Sequence, residues 1–93
     1  MELTAGKSDI VDDLKAFLED EVLREEAPDL GSETLLLELG ILNSLSTAKM
    51  IAFIRKRYGL FVPAEKIVGS NFQSLSRIAE LVLVMNADPH AHV

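Results

Sequence analysis

The stretch Glu38-Leu39-Gly40-Ile41-Leu42-Asn43-Ser44-Leu45, running on through Ser46 to Tyr58, decides how this chain is read. An apolar segment holding one glycine ends in Asn-Ser, and a helical pattern begins there. Asn43 is a good N-cap, because its side-chain oxygen can accept from backbone N–H groups of the next turn. Ser44 then falls at the first helical position, where a side chain is not committed to capping and can point at solvent. The helix end beyond it offers unpaired N–H donors and a partial positive charge. An anionic group carried on Ser44 would sit in a favourable field. Asn and Ser are also ordinary residues at a helix start, and the pair taken alone requires nothing more.

The helix opened here is expected over Ser44 to Tyr58, stopped by Gly59. Leu45, Ala48, Ile51, Ala52, Ile54 and Tyr58 can face a core, while Met50 and Phe53 widen the apolar surface beyond one stripe. Such an excess is either core or a surface exposed for a partner. The charges are one-sided: Lys49, Arg55, Lys56 and Arg57 with no acid, in a chain whose first 43 residues are strongly acidic. Bases near a helix C-terminus complement its dipole, which accounts for Arg55 to Arg57 but hardly for Lys49. The functional reading is a recognition face beside Ser44, with Leu45, Lys49, Met50, Arg55 and Lys56 as docking residues.

Before this helix, Ser8 can cap a first one running from about Asp9 to Arg24 and ending before Pro28. Ile10, Leu14, Phe17, Leu18 and Val22 form its apolar stripe. Residues 25–43 are a long connection anchored by leucines, with a short turn near Thr34 to Glu38 that Gly40 ends. After it, Pro63 can open a brief third helix over Ala64 to Ile67. A last helix begins near Gln73 or Ser74, capped by Asn71 or Ser74, with Leu75, Ile78, Ala79, Val82 and Met85 facing inward. The expected fold is all-α, an antiparallel four-helix bundle of three longer helices and one short one. The folded domain spans residues 8–86, between loose tails at 1–7 and 87–93.

At 93 residues the chain makes one small domain, and 48% apolar residues suffice for one core. A net charge of −6 argues against nonspecific nucleic-acid binding, which depends on neutralising phosphates. There is no cysteine, hence no disulfide framework and no Cys-based metal site. No apolar run approaches a membrane span, and the N-terminus lacks the pattern of a signal peptide. A cytoplasmic monomer is expected. The two histidines, His90 and His92, lie in the C-terminal tail, so Ser44 has no obvious general base in its own chain. No catalytic residue and no metal ligand is assigned, and the chain is not expected to be an enzyme in its own right.

Gly40-Ile41-Leu42-Asn43-Ser44-Leu45 resembles the Gly-x-x-Asp-Ser-Leu signature of acyl and peptidyl carrier proteins. The similarity continues through Arg57-Tyr58-Gly59-Leu60-Phe61-Val62-Pro63 and Asn71-Phe72-Gln73-Ser74-Leu75 to Ile78-Ala79-Glu80-Leu81-Val82, and so covers residues 8–86. The resemblance implies a freestanding carrier of the acyl-carrier-protein fold. Its covalent 4'-phosphopantetheine arm, taken from coenzyme A, would sit on Ser44 and hold acyl or aminoacyl groups as thioesters. It also implies the partners: a phosphopantetheinyl transferase, an acyl- or aminoacyl-activating ligase or acyltransferase, and a ketosynthase or condensation enzyme. The family's residue before the serine is most often Asp, or His in many peptidyl carriers; Asn43 keeps the cap but removes a negative charge. The family's fatty-acid carriers have an acidic helix where this chain has Lys49, Arg55 and Lys56. That difference favours polyketide or nonribosomal peptide biosynthesis over fatty-acid synthesis. The rival from another class is a helical docking module without a prosthetic group.

Overall fold

A computed structural model describes residues 6–91 of the chain. Helix α1 covers Lys7–Phe17 and carries Ile10 and Leu14 into the core. It starts earlier than the sequence predicts. Its N-cap is Gly6, not Ser8, and Asp9 secures it by accepting the Gly6 N–H through Oδ2 at 3.2 Å. Beyond Phe17 the chain widens into a π-helical turn, Leu18–Leu23, which ends at Arg24 in the left-handed conformation (φ 59°). The Glu19 carboxylate accepts the Ala27 N–H at 2.6 Å, satisfying a donor in the chain leaving this turn.

The long connection is held at three leucines, Leu30, Leu36 and Leu42, all buried. Backbone bonds fasten it to the start of the last helix: Leu36 N–H to Gln73 O at 2.9 Å and Ser76 N–H to Ser32 O at 2.9 Å. Leu35, Leu37 and Leu39 are exposed, so the expected anchoring by leucines is confined to the other three. Only the residues at which the turning backbone faces the helices can be buried.

Helix α2, Ser44–Tyr58, ends at Gly59 with φ 67°, a left-handed position that glycine takes without the Cβ penalty. The expected brief helix after Pro63 is two 3-10 turns, Ala64–Lys66 and Gly69–Phe72. Helix α3, Leu75–Asn86, is capped by Ser74, whose Oγ accepts the Arg77 N–H at 3.2 Å. Three helices thus form an all-helical fold, with no strand among the described residues beyond one bridge pairing at Leu60. In the place of a fourth helix stand the 3-10 turns, which are too short to form one wall of a bundle.

The core lies mainly between α1 and α3, with Leu18, Leu36, Met50, Ile54, Leu60 and Phe72 closing it. The radius of gyration, 12.3 Å, is that of a compact domain of this length. Lys7 Nζ bridges α1 to α3 through Glu80 Oε1 at 2.9 Å, and this hydrogen bond holds the Glu80 carboxyl below its usual range. The pair is exposed, so its contribution is screened. The segment after α3 turns back on itself: Ala91 is buried, and its carbonyl accepts the Phe61 N–H at 2.7 Å.

Candidate functional site

The start of α2 is built by a reciprocal cap. Asn43 has extended backbone, and its Oδ1 accepts the Ser46 N–H at 3.0 Å. Ser46 Oγ returns the contact by accepting the Asn43 N–H at 2.8 Å, and donates to Ile41 O at 3.0 Å. Two orphan donors of the helix end are satisfied this way. Ser46 is buried and Ser44 exposed, which separates the capping serine from the free one. Sequence reasoning found the Asn43 cap but missed Ser46. The signal was present, since a hydroxyl three residues after a cap can close the box.

Ser44 stands at the edge of a cleft of about 510 Å³, lined also by Leu37, Thr47, Ile51, Ile67, Val68 and Phe72. Leu39 and Leu45, in the chain on either side of the cap at Asn43, are two-thirds exposed, 66% and 67%. A second groove, of about 590 Å³, runs along the other half of α2 between Ala48, Ile51, Ala52, Arg55, Lys56, Phe61 and Val62. A third, also of about 590 Å³, lies between α1 and α2 over Phe17 and Phe53, whose rings stack at 4.6 Å.

Of the expected docking residues, Leu45, Lys49, Arg55 and Lys56 are exposed on α2. Met50 is not: it is fully buried and belongs to the core. The buried line of α2 is Ser46, Met50, Ile54, one residue every turn, and it turns Leu45, Ala48 and Ala52 outward. The sequence stripe through Leu45, Ala48 and Ala52 is therefore corrected by nearly a half-turn of the helix, because Met50 fills the core position (100° per residue). Lys49, Arg55 and Lys56 enter no ion pair among the described residues. Arg57 does, with Asp13 at 3.3 Å, and Asp13 also accepts the Tyr58 hydroxyl at 2.9 Å. Burial, then the Asp13 carboxylate, hold the Tyr58 hydroxyl well above the usual phenol value.

Missed from the sequence were Phe61, Ile67 and Val68, all exposed and apolar around these clefts. For Phe61 a signal existed. Leu60-Phe61-Val62 is extended, and extended residues alternate faces, so burying Leu60 and Val62 turns Phe61 out.

No protein-family model matches this chain, and no curated protein does. Among solved structures, a chain from the crystal structure of an FAD-dependent dehydrogenase is 36% identical, with a TM-score of 0.70. The alignment covers 74% of this chain and 97% of that one. This chain belongs to the family of that solved chain. The coverage makes the solved family member the shorter of the two.

The match corrects the carrier expectation. The solved family member is described by a flavin-dependent dehydrogenase, not by carriage of thioesters, and by FAD, not by 4'-phosphopantetheine. The carrier family, the thioester-carrying function and the covalent arm on Ser44 are set aside on that finding. The transferase, ligase and condensing partners were expected only through the arm and are not carried forward. The physical reason lies in the motif. Asn43-Ser44-Leu45-Ser46 is accounted for by a reciprocal helix cap, which many unrelated helices need.

Proposed function

We propose that this chain is a small helical component of an FAD-dependent dehydrogenase system, which supplies a recognition surface and leaves the flavin to another polypeptide. The support that carries this is the family match together with a surface of unpartnered apolar side chains around the start of α2: Leu37, Leu39, Leu45, Ile67 and Val68. Patches of this kind mark interaction sites.

The chain's own residues do not fit a flavin dinucleotide. Such ligands take their pyrophosphate on a glycine turn between a strand and a helix. The glycines nearest α2, Gly40 and Gly59, have φ of 74° and 67° and open space where a Cβ would stand. They serve backbone turns and bring no peptide close to a ligand. No buried side-chain polar atom among the described residues lacks a partner, so none is left aimed at an absent group. We place the chain in the cytoplasm, in keeping with its lack of cysteine. No helix among the described residues is long and apolar enough to cross a membrane.

The test is size-exclusion chromatography of the chain with a flavin-dependent dehydrogenase from the same source, followed by flavin absorbance. Co-elution of the chain with the flavin band, and no quenching of FAD fluorescence by the chain alone, is the expected result. Saturable FAD binding by the isolated chain would sink the proposal, as would failure to co-elute.

A further inference from the structure

We infer that the groove between α2 and Phe61 receives an apolar side chain flanked by carboxylates on a partner protein. The inference rests on the reading that another protein recognises this chain, and adds the chemistry of the recognised segment.

Phe61 is the first observation. It is 52% exposed, while Leu60 and Val62 on either side are at 0% and 4%. Its backbone is fixed by the bond from its N–H to Ala91 O at 2.7 Å. An aromatic ring presented on an anchored backbone loses little entropy when it is covered, and such residues dominate interface energies. Beside it, Ala48 and Ala52 leave the groove room for an inserted side chain, and Ile51 supplies apolar wall.

Charge decides the occupant. Arg55 and Lys56 line the groove, and neither has an ion-pair partner among the described residues. Arg57, one residue on, is already matched by Asp13. The helix dipole favours bases in this last turn. Lys49 lies instead in the cleft between α1 and α2, with Asp13, Asp20 and Glu21 across from it, whereas no acid lines the groove beside Phe61 and Arg55. Carboxylates supplied by a partner complete the arrangement. They would raise the association rate and make binding sensitive to salt.

The experiment is an NMR titration of the full chain with two synthetic helical peptides. Both carry one leucine face, flanked by glutamates in one and by lysines in the other. The glutamate peptide is expected to shift the resonances of Ala48, Ile51, Ala52 and Phe61, and the lysine peptide to shift none. The double variant Arg55→Glu/Lys56→Glu, checked for helicity, should weaken binding by roughly tenfold, and Phe61→Ala by a similar factor. Equal binding of both peptides, no shift with the glutamate peptide, or shifts mapping elsewhere would overturn the inference. So would saturable binding to anionic phospholipid vesicles with none to the peptide. Because no flavoenzyme is present, the two proposals fail separately. A chain that binds the glutamate peptide yet never meets a flavoenzyme sinks the preceding reading alone.

Discussion

Helices α2 and α3 each carry eight apolar residues and bury them to very different extents. Of the twelve residues of α3, seven are buried; of the fifteen of α2, only Ser46, Met50 and Ile54 are. α3 is wrapped by α1, by the 3-10 turn Gly69–Phe72 and by the loop whose Leu36 N–H donates to Gln73 O and whose Ser32 O accepts the Ser76 N–H. α2 enters the core along a single line, with Ile51, Phe53 and Tyr58 half-buried beside it and the rest of its surface outside. An apolar residue on α3 is therefore read as packing. An apolar residue on α2 has to be placed before it can be read at all.

The comparison breaks most visibly under core truncation. Ile78→Ala in α3 should cost about 2–5 kcal/mol in urea unfolding, since the side chain is fully buried. Met50→Ala should cost nearly as much, about 2–5 kcal/mol, although it lies on the exposed helix. A loss near zero at Met50 would return that residue to the surface. The caps of α2 come next. Gly59→Ala forces a side chain into φ 67° and should cost about 1–2 kcal/mol. Asn43→Ala, which leaves Ser46 N–H without its acceptor, should cost about 1 kcal/mol. Thermal melts of both variants check these values.

A smaller effect concerns the clasp between α1 and α2. The folded Tyr58 hydroxyl keeps its proton above the pH at which the unfolded chain releases it. The folded state then binds the proton more tightly, so stability falls as pH rises past about 10. Tyr58→Phe should flatten that alkaline loss in melting curves from neutral to strongly alkaline pH, and an unchanged slope would remove Tyr58 as its cause. Smallest of all, Leu45→Ala should move stability by no more than about 0.5 kcal/mol, since the side chain is mostly in solvent.

Much of the fold was legible where one local rule acted alone. Asn43 and Ser74 cap, Gly59 stops α2, and the Leu75, Ile78, Ala79, Val82, Met85 stripe faces inward. Legibility failed where two rules competed. Ser8 is a better cap by type than Gly6, yet Asp9 reaches back and fixes the earlier start. On α2 two apolar lines were available, and only the packing of α1 and α3 chooses the one through Met50. The surface around Ser44 was seen in part. The basic residues and Leu45 stand out in sequence, whereas Ile67 and Val68 reach the cleft only through the path of the 3-10 turns. The short motif at Ser44 is one that a helix cap also explains, and so it did not decide the family.

The turn that brings Ala91 onto Phe61 has a practical consequence. A fluorophore attached at the exposed position 90, one residue before that bond, would begin its tether near the groove, not at the far end of the molecule. Its emission would then report occupancy of that groove directly, with no label placed on α2 itself.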